Sequence, residues 1–149
     1  MKKFYSLLAA LAVLLSACAS QTADGIPITI YRSPTCGCCG AWADYVADNG
    51  FKPTEENTRD MSFIKIKYHV PIELQSCHTA IIDGYVIEGH VPVREIKRLL
   101  QEQPAALGIA VGGMPIGSPG MEVAGVEAEP FNVILFYADG TQEIYANYP

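Results

Sequence analysis

Three of the chain's five cysteines fall within four residues, in Cys36-Gly37-Cys38-Cys39. Cys36 and Cys39 make a C-x-x-C, the spacing of a redox dithiol. Both disulfide exchange and soft-metal ligation run through the thiolate, and a helix N-terminus favours that form through free N–H groups and its dipole. Cys38 complicates a dithiol catalyst, because a third thiol opens competing disulfides, including a strained one with its neighbour. Three thiolates gathered this closely suit a soft metal better. Cys77 supplies a fourth thiol, and His78 follows it. Cys77 can complete a metal site, resolve a disulfide, or form a stabilising disulfide with one of the first three. His78 and His90 offer imidazole nitrogen, which suits copper or zinc. His69 reads as a structural histidine.

Met114 and Met121 lie in a stretch without helical or strand periodicity. Thioethers bind Cu(I) and are poor zinc ligands, so this pair favours copper if it reaches the site. The alternative for a Met is packing or loop closure. Glu122, beside Met121, reads as a solvated carboxylate. The chain shows no Ser-His-Asp arrangement, phosphate loop or H-E-x-x-H motif.

These residues need elements to place them. Ile26 to Tyr31 is apolar and β-branched, a buried strand. Trp42, Tyr45 and Val46 share one helical face, and Asn49-Gly50 stops that helix. The cysteine cluster therefore sits on a strand-to-helix turn. Phe51 to Asn57 reads as a second strand. Asp60 caps a helix running to Tyr68, ended by Val70-Pro71. Thr79 to Ile82 and Tyr85 to Glu88 flank Asp83-Gly84, a hairpin turn. Pro92 opens a helix with Val93, Ile96, Leu99 and Leu100 on one face. Val133 to Tyr137 and Gln142 to Tyr145 form a last hairpin. Between them Gly108 to Met121 holds five of the 13 glycines with Pro115 and Pro119. A 14-residue irregular loop is uncommon without a role. The expected order is β-α-β-α-β-β-α, a long Gly/Pro/Met-rich loop, then β-β. That order resembles the thioredoxin fold: an α/β three-layer sandwich, a mixed sheet with flanking helices. There, the strand after Cys77 begins beside the cysteine turn.

The first residues read as an address. Met1-Lys2-Lys3 is basic, and Phe4 to Ala17 carries no charge. Fourteen residues fall short of the roughly 20 that span a bilayer, so residues 1–17 read as a signal peptide. Leu15-Ser16-Ala17-Cys18 resembles the lipobox of bacterial lipoproteins, which makes Cys18 the lipidated first mature residue. Residues 18–25 would then be a tether and 26–149 one domain. Ala19 rather than Asp implies the outer membrane under the sorting rule of enteric-type bacteria. The domain would face the periplasm, where thiols form disulfides or hold metal. The full chain carries 10 Lys+Arg against 16 Asp+Glu, a charge of −6; without Lys2 and Lys3 it is 8 against 16, or −8. That balance argues against nucleic acid.

Four segments together are similar to one family: Tyr31 to Gly40, Ser76 to Ala80, Gly84 to Pro92 and Gly113 to Glu122. They resemble, in the same order, the periplasmic CopG-type proteins, long grouped as a "metal-binding" domain of unknown function. The resemblance spans roughly residues 27 to 140. It implies a thioredoxin-like fold with a C-x-C-C motif, and copper bound as a multi-copper thiolate cluster. It also implies a role in copper resistance beside periplasmic efflux components, with interconversion of Cu(I) and Cu(II) as a proposed activity. Cys36, Cys38, Cys39 and Cys77 match the family's cysteines, Met114 and Met121 its loop methionines, and His78 and His90 its histidines.

Three other readings remain at this point. A thiol–disulfide oxidoreductase would use Cys36 and Cys39 as catalytic residues without metal. An arsenate-reductase-like enzyme shares the Pro-Cys turn, but its electron donors are cytosolic. A structural zinc site would use four ligands and leave both loop methionines unexplained.

Overall fold

The computed structural model describes residues 25–149. The expected signal peptide 1–17, the lipidation site Cys18 and nearly all of the tether lie outside the described residues. No helix among the described residues is long and apolar enough to cross a membrane.

Seven strands form one sheet in the order β2-β1-β3-β4-β5-β6-β7. Strand β1 (Ile26–Arg32) leads through α1 (Gly37–Asp48) to β2 (Phe51–Asn57), which pairs with it in parallel. A parallel return needs such a crossover. Helix α2 (Met61–Lys67) follows, with Asp60 at its N-cap accepting from the Phe63 amide at 2.9 Å. After a short 3-10 turn (Ile72–Leu74), β3 (His78–Ile82) runs antiparallel to β1 and joins β4 (Tyr85–Glu88) through Asp83-Gly84. Asp83 and Gly84 both have positive φ, 47° and 82°, as a tight hairpin turn requires. These four strands in the order β2-β1-β3-β4 give the thioredoxin-like core expected from the element order. Helix α3 (Val93–Glu102), entered through Pro92, precedes β5 (Gly108–Ala110), β6 (Phe131–Phe136) and β7 (Gln142–Tyr148).

The sheet separates two apolar layers. On one side Ile28, Ile30, Ala80, Ile82 and Ile87 meet Trp42 and Val46 of α1 and Ile96 and Leu99 of α3. On the other, Val86, Ala110 and Phe136 meet Val70 and Leu74 after α2. Strand alternation sends neighbouring residues to opposite layers, so His78 shares the face of Ala80 and Ile82, and Thr79 takes the other.

Two expectations need correction. The irregular segment does not start at Gly108: residues 108–110 form β5, parallel to β4 and antiparallel to β6. A Cβ on Gly108 would sit 1.9 Å from the Val86 carbonyl oxygen, so the glycine permits this pairing and does not mark a loop. Strand β7 also runs three residues past Tyr145, to Tyr148.

Candidate metal centre

The cysteine turn sits where β1 enters α1. The Cys36 amide bonds the Ser33 carbonyl at 3.1 Å. The Arg32 guanidinium, ion-paired with Glu55, also reaches the Ser33 and Cys36 carbonyls. Cys36 is the N-cap of α1, with no side-chain cap bond, so the first-turn amides and the positive dipole end lie beside the sulfurs. Gly37 and Gly40 have open space where a Cβ would stand.

Cys77 arrives from the start of β3, 41 residues after Cys36 in sequence number, as the fold expectation requires. The ligand atoms of Cys36, Cys38, Cys39 and Cys77 all lie within 4.8 Å of one another. Cys36 and Cys39 form a disulfide, while Cys38 and Cys77 are free thiols. Cys38 Sγ is 3.4 Å from Cys36 Sγ and 3.9 Å from Cys77 Sγ. A second group overlaps the first: Cys77, His78 and His90, again within 4.8 Å. The disulfide is the redox pair anticipated for the oxidoreductase reading; its reduction returns two sulfurs to the set.

Burial, and next the proximity of Cys38, push the Cys77 thiol up to about 12. Cys77 therefore keeps its proton at neutral pH, and a bound cation would displace it. His90 is poised to take part. Its Nδ1 lies 2.8 Å from the Pro119 carbonyl, which can only accept, so Nδ1 carries the proton. Nε2 then presents its lone pair to Cys77 Sγ at 3.1 Å. A backbone carbonyl that fixes an imidazole tautomer in this way is the usual support of a metal-binding histidine. Burial lowers the His90 pKa.

His78 is fully buried under Trp42, ring centres 4.5 Å apart, and edge-on to His90 at 4.9 Å. Its Nδ1 is 3.4 Å from Cys77 Sγ, and its Nε2 is buried without a hydrogen-bond partner. Burial first, then His90, holds its pKa well below the ordinary value, so the ring is neutral and able to ligate.

The segment 111–130 folds over this end of the sheet. Gly113 N–H donates to Gln75 O at 3.2 Å, and Met121 N–H to Ser118 O at 2.8 Å. Gly120, at φ 81°, packs so closely on α1 that a Cβ would lie 2.8 Å from the Trp42 amide nitrogen. The loop thus delivers the Pro119 carbonyl to His90. Met114 is 54% exposed and Met121 is half-buried. The Glu122 carboxylate is exposed, as expected, and also accepts from the Gly120 amide at 2.8 Å.

The sequence did not disclose the buried ion pair behind Cys77. Lys65 Nζ meets Glu88 Oε1 at 2.5 Å, with exposures of 7% and 0%. Glu88 ends a strand whose other residues are apolar or aromatic, which is the one signal available. Nothing local links it to Lys65 on α2.

A donor set of four sulfurs and two neutral imidazoles fits a soft or borderline cation, with Cu(I) favoured by the sulfur. It offers no carboxylate or carbonyl cage for a hard one.

Residues 74–121 match a family model described as "Protein of unknown function, DUF411". That span holds Cys77, both candidate histidines and both loop methionines. No curated protein matches the chain. Two solved structures are similar throughout. One, "Copper resistance protein copG- Form 2", has 40% identity and a TM-score of 0.80, over 85% of this chain and all of that one. The other, "Form 1" of the same protein, has 40% identity and a TM-score of 0.79, over 85% and 99%. At that identity over full-length partners, and with the cysteine turn, the β3 start and the overlying loop all in place, the chain belongs to the CopG family of copper resistance proteins.

Proposed function

We propose that this protein handles copper in copper resistance, holding Cu(I) among the thiolates of Cys36, Cys38, Cys39 and Cys77. The observation that carries this reading is the convergence of four sulfurs and two imidazoles, from segments far apart in sequence, within two overlapping groups. The number of sulfurs favours a multinuclear site in which thiolates bridge ions. His78 and His90 extend the donor set on the Cys77 side, and Met114 and Met121 extend it from the loop. Cu(I) takes soft ligands at low coordination number, and Cu(II) prefers nitrogen and oxygen. A site with sulfur on one side and imidazole on the other can therefore accommodate both states, and an external one-electron donor or acceptor would interconvert them. Lipidation at Cys18 would hold the domain at the outer membrane, facing the periplasm, where it would exchange copper with efflux components.

The test is metal analysis of the domain from Ala19 onward, reduced, loaded anaerobically with Cu(I), and compared with a Cys36/Cys38/Cys39→Ser variant. Several Cu(I) per wild-type chain, lost in the variant, is the expected outcome. Failure of the wild type to retain copper refutes the reading.

A second reading rests on the Cys36–Cys39 disulfide: a thiol–disulfide oxidoreductase that needs no metal. A Cys38→Ser variant separates the two. The oxidoreductase would keep its exchange activity, whereas the copper site would lose stoichiometry.

A further inference from the structure

The buried Lys65–Glu88 pair serves neither helix capping nor the apolar core. Removing two charges from water is costly, and apolar residues of similar volume often do as well or better for stability. Its position suggests another purpose. Glu88 is directly opposite Thr79 in the β3–β4 register. Its Oε2 accepts from Thr79 Oγ1 at 2.6 Å, and its Oε1 accepts from the Ser76 amide at 2.7 Å. One carboxylate therefore grips both residues flanking Cys77-His78. Lys65 holds that carboxylate at 2.5 Å and also donates to Thr79 Oγ1 at 3.2 Å. From the loop side, the Ser76 hydroxyl donates to the Gly113 carbonyl. Gly89, beside Glu88, leaves the room: a Cβ there would meet Ser76 Cβ at 2.6 Å.

We propose that Glu88, locked by Lys65, is the positioning residue for Cys77, its grip on the Ser76 amide and the Thr79 hydroxyl holding Cys77 Sγ between Cys38 and His90. This deepens the copper reading and rests on it for its consequence, but the positioning itself can be read without metal.

Two charge-free pairs isolate the acceptor. Lys65→Met with Glu88→Gln keeps an amide oxygen for the Ser76 N–H; Lys65→Met with Glu88→Leu removes it. In the reduced, metal-free protein, the alkylation rate of Cys77 relative to Cys38 is followed by mass spectrometry, beside thermal melting. The Leu pair is expected to raise the Cys77 rate several-fold and the Gln pair to leave it near wild type, whatever their melting temperatures. An equal rate in all three proteins overturns the proposal. So does an equal rise in Cys77 and Cys38, because general loosening would do that. Should the Leu pair not fold, Ser76→Pro removes the same N–H, and Ser76→Ala controls for the hydroxyl bond to Gly113 lost with it; Gln75 already has the extended backbone (φ −64°, ψ 139°) that a residue before proline takes. Cu(I) competition gives the second readout. The Leu pair should bind about 10–100-fold more weakly, the usual cost of losing a ligand's support, and should add nothing in a Cys77→Ser background. Wild type without copper refutes the copper reading alone; unchanged Cys77 reactivity refutes the positioning alone.

Discussion

Two regions meet over the cysteine turn, and they are built by different means. The cradle beneath consists of the α1 N-terminus, the β3 start and the segment after β4. Its backbone is tied into the sheet or helix, and its side chains are mostly buried, with Cys39, His78 and His90 fully so. The lid above, residues 111–130, is closed by hydrogen bonds within itself, Gly117 to Met121 and Glu129 to Ile116 among them, and touches the cradle at a few points. The cradle contributes sulfur and nitrogen lone pairs. The lid contributes a carbonyl, Pro119, that orients a ring already in the cradle. Rigid elements thus hold the sulfur and imidazole donors, and the loop orients one of those rings.

Breaking the cradle should have the largest effect. Cys77 belongs to both groups of converging ligand atoms, so Cys77→Ser removes a shared sulfur. Its loss of Cu(I) affinity should exceed the roughly 10–100-fold typical when only a ligand's hydrogen-bonding partner is removed. Competition with a Cu(I) chelator measures it. Gly120→Ala attacks the join between the regions. The new Cβ would meet the Trp42 amide at 2.8 Å, from a backbone at φ 81°. The loop must move, and His90 loses the Pro119 carbonyl. Copper binding should weaken by about tenfold, and denaturant unfolding should show a loss of about 1–3 kcal/mol from the strained backbone. If the affinity is unchanged while stability falls, the carbonyl does not act through His90.

The cradle was legible in the sequence to a greater extent than its support. Cys36, Cys38 and Cys39 announce themselves by spacing. The hydrophobic pattern puts them on a strand-to-helix turn, and Asp83-Gly84 fixes the hairpin that returns Gly89-His90 to Cys77-His78. Asp60 was readable as a cap because capping is local. Strand β5 was not, since Gly-Ile-Ala has no strand signal of its own and is made by its neighbours β4 and β6. The grip of Glu88 on Ser76 and Thr79, and of Pro119 on His90, were also hidden. They depend on tertiary approach and on a backbone carbonyl, which side-chain identity does not encode.

A smaller effect separates the two histidines from the thiols. Burial holds the pKa values of His78 and His90 below the ordinary value of about 6.5. The unfolded chain therefore takes up protons first as pH falls. Stability from these rings is complete above pH ~6.5 and declines below it, until the folded pKa values are reached, by at most about 1.4 kcal/mol per pH unit for each ring. His78→Phe keeps the ring stacked under Trp42 and removes one titration. Urea unfolding between pH 7 and 5 should show a shallower loss for the variant. An identical slope would mean that His78 takes up its proton alike in the folded and unfolded chain, which its burial opposes.

The smallest effect tests whether the lid holds copper at all. Met114 is 54% exposed, so Met114→Leu should change stability by less than about 0.5 kcal/mol. Leu matches the volume and lacks only the thioether, so any change in Cu(I) affinity reports ligation. Met121 is half-buried, and its amide is bonded to Ser118, next to the carbonyl that orients His90. Met121→Leu should therefore weaken binding more than Met114→Leu, each by less than tenfold if the cradle supplies the main donors. A loss in either as large as that of Cys77→Ser would erase the distinction between cradle and lid. The loop would then close on the metal itself, and release of copper would require the 111–130 segment to lift from α1.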